Sequence, residues 1–359
     1  MHPHRSSSAL AGALAVGLGL VGGPSTSAQD RVVDTPVSPA VSAPVPDLKL
    51  GTIEQHDPRL ADVIPPGSSM QIIGEGYDWA EGPAWDRRDG SLLFSDIPPN
   101  VVMRFKDGAG PPKVFLKPSG YTGKAPRGGE PGSNGLLFDK QGRLILCQHG
   151  DRRVARLEAD GSFTTLADRY DGKRLNSPND AVFHSSGALY FTDPSYGLEG
   201  NNQSPLKELP FNGVYRLAPD GKVTLLTREL SFPNGIGFSP DEKTLYVANS
   251  DGERAIWMAY PVQADGLLGA GKVFFDATRA MKTLKGAPDG LKVAANGYLF
   301  ATGPGGVLIF HPDGKLLGTL NTGVATANVG FGGPDGSTLF ITADMYLLRL
   351  PTTTKGQGF

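Results

Sequence analysis

Short apolar runs alternate with polar, Gly-containing turns along most of this chain, and no long period-3.6 apolar segment follows its N-terminus. One unit shows the pattern well. Asn179-Asp-Ala-Val-Phe183 is an oxygen-bearing opening followed by a short apolar strand. A polar turn leads into Gly187-Ala-Leu-Tyr-Phe-Thr-Asp193, a β-rich second strand. The same arrangement recurs at Glu81-Gly-Pro-Ala-Trp85 with Ser91–Asp96, and at Asn134-Gly-Leu-Leu-Phe138 with Arg143–Cys147. It returns at Asn234-Gly-Ile-Gly-Phe238 with Thr244–Ala248, at Asp289-Gly-Leu-Lys-Val293 with Tyr298–Thr302, and at Asn328-Val-Gly-Phe331 with Thr338–Thr342. A repeat of roughly 40–55 residues made only of strands and turns predicts an all-β, six-bladed β-propeller with four-stranded blades.

In a propeller the first strand of each blade lines the central channel. The six opening residues, Glu81, Asn134, Asn179, Asn234, Asp289 and Asn328, are therefore expected to converge on one axis. They are two carboxylates and four amides, with no thiol or imidazole. Oxygen donors suit a hard cation, and Ca²⁺ takes six to eight of them. The competing reading is that each Asn or Asp only caps its own turn.

Further strands are expected at Val101–Phe105 and Val114–Leu116, Val154–Leu157, Gly213–Leu217 and Val223–Leu226, Ala255–Tyr260, and Val307–Phe310. The last repeat ends with room for about three strands. A strand near Ile72 is expected to complete it and so remove an exposed edge. Two long loops stand out. Residues 118–133 are too rich in Gly and Pro for regular structure and directly precede Asn134, so they are expected to cover the channel mouth. Ser195–Asn212 is a second candidate wall for a pocket. Asp-Gly pairs at 160–161, 220–221 and 313–314 read as hairpin turns.

Residues 1–28 have the form of a secretory signal peptide: a short basic start, an apolar small-residue stretch and Ser25-Thr-Ser-Ala28 as a cleavage site. That implies a periplasmic or secreted protein with no membrane attachment once the signal is removed. Residues 29–69 read as a Pro-rich linker and irregular segment, and 70–359 as the propeller domain. The formal net charge of −2 gives no electrostatic case for nucleic acid. The single cysteine, Cys147, sits in an apolar strand and is expected to be an inert core thiol.

Glu81-Gly-Pro-Ala-Trp85 with Leu92–Asp96, Ser177-Pro-Asn-Asp180, Phe232-Pro-Asn-Gly235 and Pro288-Asp-Gly290 together resemble the gluconolactonase family, also called the senescence-marker-protein or regucalcin family. Asn134-Gly-Leu with Gln148-His-Gly and Arg152-Arg-Val is similar to its bacterial branch. The resemblance covers about residues 60–350. It implies a six-bladed propeller carrying a divalent metal, usually Ca²⁺, with other divalent cations possible. Matched residue by residue, Glu81, Asn234 and Asp289 fall on the family's metal ligands, and Asn179 on an amide that binds metal or substrate. The animal members have an Arg where this chain has Ser177, so their substrate does not carry over.

The implied chemistry is lactone hydrolysis. The expected metal ligands are Glu81, Asn179, Asn234 and Asp289. The expected catalytic base is Asp289, with His149 and Asp193 as alternatives; His149 reads equally as a hydrogen-bonded structural residue, and Asp193 as one that orients the loop of Asn179. The expected substrate contacts are Asn134, Asn179 and Asp193. Two alternatives stay open: a phosphotriesterase- or arylesterase-like hydrolase with a similar ion, and a ligand-binding propeller without enzymatic activity. The expected partner is a small lactone or ester, and the expected state is a monomer.

Overall fold

The computed structural model describes residues 48–358. The signal sequence, most of the Pro-rich linker and Phe359 lie outside the described residues. Six antiparallel sheets follow one another along the chain as the blades of a β-propeller. The first blade is formed by Ala80–Asp86, Ser91–Asp96, Val101–Phe105 and Lys113–Leu116. The second begins with Ser133–Phe138 and the third with Ala181–Phe183. The fourth, fifth and sixth begin with Pro233–Phe238, Leu291–Val293 and Asn328–Gly332. In the first four blades each strand pairs with the next, so sequence order is also sheet order there.

Hydrophobic residues of facing sheets fill the space between blades, as expected for stacked sheets whose side chains alternate between two buried faces. Tyr190, Val214, Phe238, Val247 and Ile256 form one such layer between the third and fourth blades. Trp257, Ala301, Leu308 and Phe310 form the next. Phe300, Ile309, Phe331 and Ile341 form another between the fifth and sixth. Cys147 is buried in this core, and burial pushes its thiol well above the ordinary range, which suits an unreactive packing role.

The sixth blade takes its outermost strand from the N-terminal side of the chain. Gln71–Glu75 pairs antiparallel with Tyr346–Pro351. A second N-terminal strand differs from the sequence reading, which had residues 51–69 as irregular. Thr52–Gln55 pairs with Leu316–Asn321 and makes the fifth blade five-stranded, and a 3₁₀ turn follows at Pro58–Asp62. The ordered domain therefore begins well before residue 70. Three of the four residues in Thr-Ile-Glu-Gln are exposed, so this outer edge strand carries no apolar alternation to announce it. Gly51 is required at its entry: φ is +74°, and a Cβ there would overlap the carbonyl of Asn321.

Candidate active site

The opening residues of the blades are held at one end of the channel by backbone features that repeat around it. In the first, second and fourth blades the ladder is interrupted beside the opening residue, between Glu81 and Ala84, Ser133 and Leu136, and Pro233 and Ile236. Such bulges release a residue from the pleat and re-aim its side chain. The glycine after the opening residue lets neighbouring inner strands touch. A Cβ on Gly82 would overlap the Asn134 carbonyl, and one on Gly235 would overlap that of Asp289. One on Gly290 would overlap the Asn328 side chain. Hydroxyls of the second strands pin the same backbone. Ser95 Oγ donates to Asn134 O at 2.8 Å, Thr192 Oγ1 to Asn234 O at 2.7 Å, and Thr302 Oγ1 to Ala327 O at 2.8 Å.

The side chains carried by this frame are buried: Glu81, Asn134, Asn179, Asn234 and Asn328 are all nearly closed to solvent, and Asp289 is partly so. Asn134 Oδ1, Asn179 Oδ1, Asn234 Oδ1 and Asp289 Oδ1 are each buried without a hydrogen-bond partner. Asn234 donates from Nδ2 to Ser250 Oγ at 3.0 Å, which leaves its oxygen as the open acceptor. Glu81 accepts at Oε2 from the Gly82 N–H at 2.6 Å and from Asn328 Nδ2 at 3.0 Å. Burial pushes the Glu81 carboxyl up; those two hydrogen bonds pull it partly back, and the nearby Asp180 charge adds to the rise. Asp289 is pushed up well above the ordinary range as well, first by burial and then by the charges of Glu81, Glu130 and Asp180.

An unpartnered buried polar atom costs roughly 1–3 kcal/mol. Several acceptors left open together beside two buried carboxylates make a donor set whose negative charge Lys292 alone does not balance. These oxygens fit a hard divalent cation by their chemistry. Among the described residues no three His, Cys, Asp or Glu side chains are grouped to hold a metal. A cation here would take much of its shell from amide oxygens and water.

Not every opening residue joins this set. Asn328 Oδ1 accepts from its neighbour Val329 N at 2.9 Å, and its Nδ2 serves Glu81, so it supports a carboxylate and offers no open oxygen. Asp193, expected as a substrate contact, is turned inward instead. Its two oxygens accept from Asn176 N and Ser177 N, each at 2.8 Å, and it is fully buried. Burial raises its carboxyl to about 7 against the pull of those two N–H groups. Its part is to hold the Asn176-Ser177 turn that delivers Asn179. Asp180 is buried as well. It accepts from Ala181 N at 2.8 Å and pairs with Lys292 Nζ at 3.4 Å.

A family model described as SMP-30/Gluconolactonase/LRE-like region matches residues 79–344. The chain belongs to this family. Its similarity to a gluconolactonase of Zymomonas mobilis is 40% identity over 320 residues, 86% of this chain and 88% of that protein. The solved gluconolactonase of Xanthomonas campestris superposes with a TM-score of 0.74 at 33% identity, covering 87% of this chain and 99% of that one. A structure titled as the calcium-binding protein regucalcin, from Agrobacterium tumefaciens, shares the fold with a TM-score of 0.61 at 23% identity, covering 80% and 97%.

Over the gluconolactonase-family frame lie the two long loops singled out in the sequence, and they pack together. Arg127 donates to the carbonyls of Gly150 and Gly197. Glu130 N donates to Tyr196 O at 3.4 Å. Tyr196 stacks on Phe232, with ring centroids 5.4 Å apart. Its phenol is pushed up by burial, and the Ser250 and Asn234 side chains pull it partly back. Tyr196 lies in the insertion that the sequence marks as a candidate pocket wall, whereas Glu130 carries no signal of its own, because a Gly/Pro-rich loop has no period to read. The second-strand hydroxyls do carry one: Ser95, Thr192, Thr302 and Thr342 stand at corresponding places. A separate cavity of about 730 Å³ opens at the opposite end of the channel, lined by Trp85, Phe138, Phe183, Lys292 and Phe331. None of the residues expected to act on substrate lines it.

Proposed function

We propose that this member of the family is a lactone hydrolase that opens a sugar-type or other small lactone at the loop-covered end of the channel, using a divalent cation, Ca²⁺ by donor chemistry, held by Glu81, Asn179, Asn234 and Asp289. The reading is carried by one observation: the open, buried oxygens of Asn179, Asn234 and Asp289 beside the Glu81 carboxylate. The lactonase relatives support the reaction class. A cation bound there supplies Lewis acidity that polarises the ester carbonyl and stabilises the oxyanion that develops on it.

The chain's own residues do the rest. Asn134 offers an open amide oxygen to a substrate hydroxyl, and Tyr196 offers a phenol beside Asn234. The roof made by the two loops excludes bulk water and strengthens polar contacts inside. Asp193 and the second-strand hydroxyls keep the oxygens in place and touch no substrate. Export is part of the same proposal and rests on residues 1–28 alone; a protein retained inside the cell with Met1 still in place would reject it.

The test is hydrolysis of δ-gluconolactone and a panel of γ-lactones by the purified protein, with and without chelator. Turnover that is lost on chelation and restored by Ca²⁺ supports the reading. Hydrolysis of organophosphates or aryl esters with none of any lactone would replace it.

A further inference from the structure

We propose that Glu130 and His149 form an oriented base for this reaction, with His149 Nε2 taking the proton of the attacking water and Glu130 acting as the positioning residue. The proposal rests on the lactonase reading and names which group moves the proton.

His149 follows the second strand of the second blade and is fully buried. Its Nδ1 lies 2.7 Å from Glu130 Oε2. Its Nε2 is buried with no partner. A histidine kept for structure has both ring nitrogens satisfied, because an orphaned one is costly. Here one side is held by a carboxylate and the other is left open. The carboxylate accepts, so Nδ1 carries the hydrogen and Nε2 presents a lone pair. That is the tautomer a general base needs.

The pair also stands on the right face. His149 N donates to Gly132 O at 3.1 Å, two residues before Asn134. A Cβ on Gly197 would come within 2.8 Å of His149 Cβ, so the imidazole's backbone abuts the residue after Tyr196. Tyr196 in turn reaches Asn234 and Ser250. Glu130 N bonds Tyr196 O, and the Glu130 charge is among those that raise Asp289. Asp289 is a poorer choice for the base, because a carboxylate that ligates a divalent ion loses basicity.

In the step assigned to this pair, a water O–H bond breaks as the water oxygen bonds to the lactone carbonyl carbon, and the proton goes to His149 Nε2. The tetrahedral adduct then breaks its bond to the ring oxygen. That oxygen keeps the electron pair and takes the proton back from Nε2, giving the open hydroxy acid.

The experiment compares wild type with E130Q, E130A and H149A on the best lactone. kcat and KM are measured against pH, Ca²⁺ binding by calorimetry, and the imidazole tautomer by ¹⁵N NMR. H149A is expected to lower kcat by about 10²–10⁴-fold with Ca²⁺ affinity unchanged. E130A is expected to lower kcat more than it raises KM. E130Q, which can still accept from Nδ1, is expected to recover part of that loss in kcat, with KM and Ca²⁺ affinity unchanged. A role in folding alone would move KM and Ca²⁺ affinity along with kcat and would give no rescue by the conservative variant. Wild-type activity with unchanged pH profiles in E130Q and H149A would overturn the dyad and leave the lactonase reading standing. So would an Nε2-protonated His149 in the wild type. A wild type inert toward every lactone would overturn both.

Discussion

Asn328 donates from Nδ2 to Glu81 Oε2 at 3.0 Å, joining the last blade to the first at the centre of the channel. Together with the Gly82 N–H it fixes one oxygen of a carboxylate that burial would otherwise drive toward neutrality. Asn328→Ala leaves that oxygen with a single donor. The expected loss is about 1–3 kcal/mol of stability, read as a fall in Tm of roughly 2–10 °C. Asn328→Asp, which sets a second carboxylate beside Glu81, is expected to lose more in chelator than in Ca²⁺. Equal melting of all three proteins would show that the bond contributes nothing.

Glu81→Gln and Asp289→Asn are expected to weaken Ca²⁺ binding by at least about 100-fold and to abolish metal-dependent turnover. The same changes have an opposite effect on the metal-free protein. Burial raises both carboxyls, the Glu81 charge adds to the rise of Asp289 and the Asp180 charge to that of Glu81, so a neutral amide removes a repulsion. In chelator near pH 8, Glu81→Gln is expected to melt above the wild type. In Ca²⁺ at 100 times its Kd the order reverses, because the wild type gains about 2.7 kcal/mol by mass action. A wild type whose melting ignores both chelator and Ca²⁺ would remove the cation from the account.

Asp193 gives a pH dependence of definite sign. Its folded carboxyl titrates at about 7, against an ordinary value of 3.8. Between those values the folded chain holds a proton that the unfolded chain has released. Unfolding therefore releases protons, and this residue's contribution to stability falls as pH rises from about 4 to about 7. Asp193→Asn removes the titration while keeping one acceptor for the Asn176-Ser177 turn. The stability difference between wild type and variant is expected to shrink steadily across that window, measured by urea unfolding. A difference that grows with pH would mean that the folded carboxyl is depressed.

Gly235→Ala tests the close contact of neighbouring inner strands. The added methyl would meet the Asp289 carbonyl and the Gly290 Cα, neither of which can swing aside as a side chain would. A loss of about 2 kcal/mol or more is expected, with weaker Ca²⁺ binding because Asp289 is displaced. Gly221→Ala is a control for backbone conformation alone: its φ is +88° and nothing lies within 4 Å of the added Cβ. It is expected to leave Ca²⁺ binding unchanged.

Much of this architecture was legible in the chain because each blade opens with the same polar-then-apolar signature. The six sheets start where that signature places them, and the strand at Gln71–Glu75 pairs with Tyr346–Pro351. Thr52–Gln55 escaped notice because an outer edge strand with exposed side chains has no pattern. The site was legible in its residue types and less so in their roles. Asn328 and Asn234 look alike in sequence, yet one supports a carboxylate and the other leaves an oxygen open. What separates them is the partner across the blade boundary, about 247 residues away for Asn328 and Glu81. Asp193 ends its strand as a surface ligand would, but two backbone N–H groups reach it first. Glu130 lies in a loop with no period, and only the fold shows that it faces His149.

The pairing of Gln71–Glu75 with Tyr346–Pro351 also sets a timetable. A strand near the start of the domain waits for its blade until residues 346–351 have left the ribosome. Five blades can assemble while the chain is still growing, but the sixth has to recruit its outer strand from material made some 270 residues earlier. Trimming either terminus past these strands would cost the same blade.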